Sequence, residues 1–226
     1  MSANEPAVIK KSSISDYSDL SKSELLENIL PFWLQNSKDE EHGGFFTCLS
    51  RDGKVYDTDK FMWLQGRQVW CFSFMYNMVE QNSAWLDFAI HGAEFMKKYG
   101  RDEAGNWYFS LKADGTPLVQ PYNIFSDCFA CMAFAALNRA APNEEWRKIA
   151  VDTFENILRR RKNSKGIYNK QVPGSRPLKN FSLPMILCNL ALELEPILGK
   201  ERVNEFLPEI IHEVMEVFYE PQAGQE

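Results

Sequence analysis

The chain contains the same order of predicted elements twice: a helix, a hairpin with an Asp-Gly turn, and then an apolar helix. The pair Asp52-Gly53 lies between two short strand-like segments, and the pair Asp114-Gly115 repeats this arrangement further along. An Asp-Gly pair flanked in this way is the strongest short-range signal of a hairpin. The chain therefore contains an internal repeat.

The spacing of apolar residues predicts about seven helices and indicates how they are arranged. The second, fourth and sixth are apolar on most sides, which is typical of interior helices, whereas the third, fifth and seventh are amphipathic. This alternation fits a double ring in which outer helices surround inner ones. We therefore expect an all-α fold, an (α/α)6 toroid or barrel, and an incomplete one, because seven helices do not close a ring of six pairs. The predicted helices cover approximately residues 21–36, 60–79, 83–99, 123–139, 143–161, 182–194 and 201–219.

The N-terminal residues differ from the rest of the chain in composition. Residues 1–18 are polar and Ser-rich, and are predicted to form a flexible arm, whereas residues 19–226 are predicted to form the partial (α/α)6-barrel domain. The arm lacks the apolar segment of a signal peptide, so a cytoplasmic location is expected. No apolar run approaches the ~20 residues that a membrane span needs, so no membrane partner is expected.

Charge and cysteine usage narrow the classes of function. The net charge of -6 argues against a nucleic-acid partner, because phosphate binding needs clustered Lys and Arg. Cys128 and Cys131 form a CxxC pair, but it lies in an apolar helix without a second Cys pair, so buried structural thiols are expected. The three histidines show no metal-ligand spacing, and no metal site is predicted.

Polar residues interrupt the first turns of the second predicted helix. Trp63 and Arg67 are four residues apart and share a helix face, and Gln65 lies between them. Arg67 has two interpretations: a structural residue satisfied by a carboxylate or by loop carbonyls, or an anion or oxyanion clamp beside a tryptophan that stacks on a sugar. Gly66 costs on the order of 1 kcal/mol against Ala in a helix, so close approach of a neighbouring helix or a ligand is expected there.

The corresponding position after the second hairpin carries Tyr122, Ser126 and Asp127. These residues are candidates for the same pocket, because both polar clusters lie at the same end of successive inner helices. The structural alternative is capping of the helix by Asn123 and interaction of Asp127 with the helix dipole.

Three segments of the chain resemble a known family. Residues 32–76, with HGGFFTCLSRDGKVYDTDKFMWLQGRQVW at their centre, closely resemble N-acylglucosamine 2-epimerase, also called renin-binding protein. Residues 124–129 and 184–190 continue the resemblance. It implies an (α/α)6 barrel that interconverts N-acetylglucosamine and N-acetylmannosamine, a cytoplasmic homodimer, and renin as a protein partner. It also implies no cofactor for the chemistry, with ATP or another nucleotide as an allosteric activator.

The reaction implied by the resemblance removes a proton from C2 of the ring-opened sugar and returns a proton to the other face, a task that two histidines perform in the family. Arg67 would stabilise the developing oxyanion as the catalytic residue. The substrate-binding residues would be Trp63, Gln65, Tyr122, Ser126 and Asp127. The family is about twice as long as this chain and carries its two catalytic histidines in the second half, so the 226 residues are expected to be an inactive fragment.

Two alternatives to this function remain. One is a related sugar isomerase or 2-epimerase acting on another hexose, although the absence of histidine from residues 183–187 favours the N-acylhexosamine branch. The other is a non-catalytic, renin-binding type of interaction protein that dimerises through helix faces such as Leu187, Leu190 and Leu194.

Overall fold

The structure, a computed structural model, describes residues 14–163 and 181–219. Its first helical segment consists of α1 (Ile14–Ser23), a π-helical stretch (Glu24–Ile29) and α2 (Leu30–Asn36). Of the arm predicted over residues 1–18, residues 14–18 belong to α1, and residues 1–13 lie outside the described range. Helix α1 buries no side chain, so its sequence lacks a strong pattern of apolar residues. Asp16 in its first turn and Lys22 in its last turn complement the helix dipole.

The remaining elements agree closely with the predicted order. When continuous helical segments are counted, the described residues contain seven helices, as expected. After α2 come β1 (Cys48–Leu49), β2 (Val55–Asp57), β3 (Lys60–Phe61), α3 (Met62–Met78), α4 (Ser83–Tyr99), β4 (Ser110–Leu111), β5 (Pro117–Val119), α5 (Phe125–Ala140), α6 (Glu144–Arg160), α7 (Ser182–Leu198) and α8 (Lys200–His212), which continues as a π-helical stretch (Glu213–Phe218).

The helices form two layers. Helices α3, α5 and α7 pack side by side as an inner layer, and α4, α6 and α8 pack against its outer surface. Helix α5, in the middle of the inner layer, is buried on nearly all sides, whereas α6 buries only one face. The expectation of an all-α, incomplete (α/α)6 arrangement is therefore confirmed.

The two predicted hairpins are present and have matching turns. Strands β1 and β2 are antiparallel, as are β4 and β5. The backbone N–H of Ser50 donates to the carbonyl of Lys54 at 2.9 Å, and that of Lys112 donates to Thr116 at 2.8 Å. The turn glycines have φ values of 81° and 88°, which favour glycine over residues with a Cβ atom. Equivalent positions in the two repeats lie 62 residues apart.

A strand pairing that the sequence did not indicate joins the two repeats. Strand β3 pairs with β4, so the second hairpin belongs to a three-stranded sheet of order β3-β4-β5. The backbone N–H of Met62, the first residue of α3, also donates to the carbonyl of Phe109 at 2.9 Å. These bonds hold the N-terminal ends of α3 and α5 at the same side of the helical layers, as the positions of the two polar clusters predicted.

Gly66 sets the distance between the first two inner helices. A Cβ atom at this position would lie 2.9 Å from the backbone carbonyl carbon and oxygen of Phe129 in α5. Close approach is therefore the reason for glycine here, and the neighbour is a helix.

Lys60 is fully buried at the start of the first inner helix. Its ammonium donates to the Asp39 carboxylate at 2.6 Å and to the carbonyl of Gly43, and it lies 4.5 Å from the ring centroid of Phe95. Burial lowers the pKa of Lys60, while the Asp39 carboxylate opposes that shift. This buried ion pair fastens the loop before the first hairpin to β3, and the contact of the ammonium with Phe95 adds α4.

Helix α7 exposes a different face from the one predicted for dimerisation. Leu187, Leu190 and Leu194 are buried in the core, so that prediction is wrong. Met185 and Leu192, at 51% and 74% exposure, lie on the free face of the same helix. None of the helices within the described ranges is both long and apolar enough to cross a lipid bilayer.

Candidate active site

Arg67 lies on the exposed face of α3, at the second turn of the helix. Its guanidinium carbon is 5.8 Å from the ring centroid of Trp63 and 5.3 Å from that of Phe129. Both distances are within the range of cation–π interactions. Among residues 14–163 and 181–219, no carboxylate forms an ion pair with this guanidinium.

A cleft of about 370 Å³ opens beside Arg67, between the first helical segment and α3. Most of its lining is apolar, and Gln68 and Thr47 add polar atoms. The hydroxyl of Thr47 is buried and has no hydrogen-bond partner among the described residues. The apolar wall consists of Leu25, Ile29, Leu30, Trp33, Leu64, Trp70, Cys71 and Phe72. A concave surface with a few polar atoms and a cation that has no ionic partner in the described part of the chain can bind a small ligand that carries oxygen atoms.

Gln65 was predicted to bind substrate, but the structure gives it a different role. Its side chain is fully buried, and its amide oxygen accepts from the backbone N–H of Phe45 at 2.9 Å. Its amide nitrogen donates to the carbonyl of the same residue at 2.8 Å. Both ends of the amide are occupied and the side chain is fully buried, so Gln65 fastens Phe45 to α3, and its role in substrate binding stays a prediction.

Ser126 and Asp127 are also buried at the start of α5. The Asp127 carboxylate accepts from Arg160 at 2.8 Å and from Asn156 at 3.3 Å. Burial raises the pKa of Asp127 to about 6, with Arg160 and the backbone N–H of Trp107 acting in the opposite direction. Both side chains are buried, and Asp127 links an inner helix to an outer one. Substrate binding by Ser126 and Asp127 stays a prediction.

Tyr122 remains half-exposed but does not line the cleft beside Arg67. Its ring packs against that of Phe109, with centroids 4.8 Å apart. Of the six predicted site residues, only Arg67 lines the cleft. Trp63 contacts its guanidinium from outside the lining, as does Phe129 from the neighbouring helix.

None of the three histidines lines this cleft. His91 lies 3.1 Å and 3.0 Å from the backbone carbonyls of Asp39 and Gly44, and burial lowers the pKa of its imidazole. His42 lies beside Asp39 in the loop before the first hairpin, and His212 lies near the end of α8. These positions agree with structural roles for His42 and His91.

The cysteines of the CxxC pair are buried, as predicted. Cys128 and Cys131 are fully covered, and burial raises the pKa of both thiols well above the usual range. The thiol of Cys131 donates to the carbonyl of Ala150 at 3.3 Å.

Two residues near the cleft were not identified from the sequence. Phe129 occupies the position in the second repeat that Arg67 occupies in the first, so the 62-residue offset could have placed it beside the guanidinium. Glu193 on α7 accepts from the indole N–H of Trp70 at 2.9 Å, and burial raises the pKa of this carboxyl. No local pattern indicates that contact, because the two residues lie on inner helices separated by α5.

The chain is similar to known sugar epimerases over most of its length. It is 37% identical to human N-acylglucosamine 2-epimerase, an alignment that covers 77% of this chain and 43% of that protein. It is 33% identical to cellobiose 2-epimerase of Eubacterium cellulosolvens, covering 71% of this chain and 40% of that protein. The chain thus spans less than half the length of these curated relatives.

A solved structure and a family model agree with these relatives. The fold matches a crystal structure of a sugar epimerase from a ruminal bacterium with a TM-score of 0.77 and 26% identity, covering 90% of this chain and 56% of that one. The model of the N-acylglucosamine 2-epimerase family matches residues 44–225. The chain is therefore a member of the N-acylglucosamine 2-epimerase family.

Proposed function

We propose that these 226 residues supply the oxyanion-stabilising side of a sugar 2-epimerase that interconverts N-acetyl-D-glucosamine and N-acetyl-D-mannosamine. Arg67 carries the proposal, because it is a cation without an ionic partner among the described residues and it lies at the rim of a cleft. Family membership and the higher identity to the N-acylglucosamine enzymes support the choice of reaction and substrate.

The role of Arg67 follows from the charge that develops in the reaction. Opening of the sugar ring makes C1 an aldehyde, and removal of the C2 proton moves negative charge onto the C1 oxygen. A guanidinium whose N–H groups are free can donate to that oxygen, and donors of this kind are worth roughly 3–4 kcal/mol each in comparable sites. Trp63, on the same face of α3, offers an aromatic surface to the apolar face of the sugar ring.

The proton transfers need an acid and a base that the cleft does not contain. Its lining includes no histidine and no carboxylate. In our proposal two histidines outside the described cleft remove and return the C2 proton, as the resemblance implies. The purified 226-residue chain is therefore expected to bind the sugar without exchanging its C2 hydrogen.

Binding and exchange can be measured separately on this chain. Saturation-transfer NMR reports binding of N-acetyl-D-mannosamine, and loss of the C2 proton signal in D2O reports exchange. We expect Arg67→Gln to abolish the binding signal, while Arg51→Gln, at an exposed arginine of the first hairpin, leaves it unchanged. Equal binding by Arg67→Gln, or no binding by the unsubstituted chain, would contradict the proposed site, and measurable C2 exchange would contradict the proposed absence of an acid–base pair.

A second candidate is epimerisation of another hexose or of a disaccharide, which the 33% identity to a cellobiose 2-epimerase supports. The same NMR measurement with N-acetyl-D-mannosamine, mannose and cellobiose distinguishes the candidates. Preferential binding of cellobiose would favour the second one.

The resemblance extends the proposal to the surroundings of the protein. We propose a cytoplasmic homodimer with ATP or another nucleotide as an allosteric activator, no cofactor in the chemistry, and renin as a protein partner. The exposed apolar side chains of Met185 and Leu192 on α7 support an association surface. A non-catalytic interaction protein remains the alternative, and retained dimerisation without sugar binding would favour it.

A further inference from the structure

The guanidinium of Arg67 packs on the residue that occupies its own position in the other repeat. Arg67 and Phe129 are 62 residues apart, and they lie at the same height on the neighbouring inner helices α3 and α5. Each unit of a repeat fold contacts its neighbours, so equivalent positions on successive inner helices lie close together where the helix backbones touch. Here the backbones touch at Gly66, and the guanidinium of Arg67 reaches the ring of Phe129 at 5.3 Å.

Gly66 fixes the position of the ring relative to the cation. A Cβ atom there would lie 2.9 Å from the carbonyl group of Phe129, so the backbones of the two helices are in direct contact one residue before Arg67. Both rings that contact the guanidinium are anchored on inner helices: Trp63 lies one turn earlier on α3, and the rings of Trp63 and Phe129 are 6.2 Å apart. The guanidinium thus contacts two rings that are themselves held in place.

An aromatic contact holds a guanidinium differently from a carboxylate. A carboxylate would occupy two N–H donors and neutralise the charge that the proposed reaction needs. Aromatic rings attract the cation through their faces, so the five N–H groups remain available to a ligand. Within the described residues no acidic side chain pairs with Arg67, which agrees with this arrangement.

We propose that Phe129 is a positioning residue for Arg67: it holds the guanidinium at the rim of the cleft without consuming its donors. The proposal rests on the function proposed above for Arg67, because it assigns the N–H groups of the guanidinium to an oxygen atom of the sugar. It predicts that the ring of Phe129, and not its volume, determines both the orientation of Arg67 and the affinity for the sugar.

The test uses the 226-residue chain and the variants Phe129→Leu, Phe129→Tyr and Phe125→Leu. Leucine removes the ring but keeps an apolar side chain, and tyrosine keeps the ring. Phe125 is the matched control, because it is also half-buried on α5, one turn before Phe129, and does not contact Arg67. Thermal melting verifies that each variant folds, and Phe129→Met replaces the leucine variant if that variant does not.

The first measurement is the NMR resonance of the Arg67 side-chain Nε–H group, assigned by its loss in Arg67→Gln. Ring faces shift a nearby proton upfield. We expect this upfield shift in the unsubstituted chain, in Phe129→Tyr and in Phe125→Leu. In Phe129→Leu the upfield shift should be markedly smaller. An unchanged resonance in Phe129→Leu would overturn the proposal.

The second measurement is the dissociation constant for N-acetyl-D-mannosamine. Phe129→Leu should raise it by about two- to fivefold, the equivalent of one exposed cation–π contact, and Phe129→Tyr should restore it. An unchanged affinity in Phe129→Leu, despite a moved Arg67 resonance, would also overturn the proposal. Absence of sugar binding by the unsubstituted chain would instead contradict the proposed function, while the resonance would still decide whether Phe129 positions Arg67.

Discussion

Gln65 and Asp127 occupy equivalent positions at the start of neighbouring inner helices, and both side chains are fully buried. Gln65 binds both backbone groups of Phe45, whereas the Asp127 carboxylate accepts from Arg160 and Asn156. The first repeat therefore places a neutral amide at this position, and the second places an ionisable carboxyl there.

Replacing Gln65 with leucine should strongly destabilise the fold. The substitution leaves the N–H and the carbonyl of Phe45 without partners in a buried site, at about 1–3 kcal/mol for each group. We expect the free energy of unfolding, measured with urea, to decrease by roughly 2–5 kcal/mol. Gln81→Leu, at an exposed position, should have little effect. A small change for Gln65→Leu would show that this amide is not essential to the fold.

Asp127 should make stability decrease with rising pH over the weakly acidic range. Burial raises its pKa in the folded state to about 6 from 3.8, so the native state binds this proton more tightly than the unfolded state. Its stabilising contribution is fully present below about pH 3.8 and is lost as the pH rises through about 6. The expected loss is of the order of 2–3 kcal/mol.

The measurement compares the free energy of unfolding of the unsubstituted chain and of Asp127→Asn between pH 4 and pH 7. The unsubstituted chain should lose stability relative to this variant as the pH rises. Asp114→Asn provides the contrast, because the backbone and side chain of Thr116 lower the pKa of that exposed carboxyl, which gives a dependence of opposite sign. Parallel pH profiles for the unsubstituted chain and Asp127→Asn would contradict the prediction.

Gly66→Ala should destabilise the contact between α3 and α5, although alanine favours a helix by about 1 kcal/mol. The new methyl group would meet the backbone of Phe129 at 2.9 Å, and overpacking of this kind typically costs about 1–3 kcal/mol. We expect a net loss of about 1–2 kcal/mol in thermal or urea unfolding. A gain in stability would show that the two helices can separate at no cost.

Cys128 and Cys131 should resist thiol reagents in the folded chain. Both side chains are fully buried and their thiols are held in the neutral form, whereas the thiolate is the reactive species. Mass spectrometry after labelling at neutral pH should find modification at the partly exposed Cys48 before either of them. Rapid labelling of the CxxC pair, or co-purification of a metal with it, would reject the structural role.

The helices could be predicted from the sequence because their signals are local. The apolar inner helices and the two Asp-Gly turns have characteristic residue patterns, and the internal repeat follows from their order. The start of α1 at Ile14 was missed because this helix has no buried face, so its apolar pattern is weak. The pairing of β3 with β4 was missed because it joins residues that are far apart in the sequence.

The candidate site was harder to predict than the fold, for a physical reason. Polar residues at the start of an inner helix can point into a cavity or satisfy a buried backbone, and both uses require the same residue types. Arg67 is exposed at the cleft and Trp63 is half-buried, whereas Gln65, Ser126 and Asp127 are fully buried. Only the rotation of each helix about its axis separates the two groups, and that rotation depends on packing contacts such as Gly66 against Phe129.

The buried ammonium of Lys60 has a consequence for chemical labelling. An acylating reagent can modify this amine only after Asp39 and Phe95 have released it, because no part of the side chain is exposed. The rate of its acylation would therefore measure how often the loop before the first hairpin opens locally, with the exposed amine of Lys54 in the same molecule as the reference.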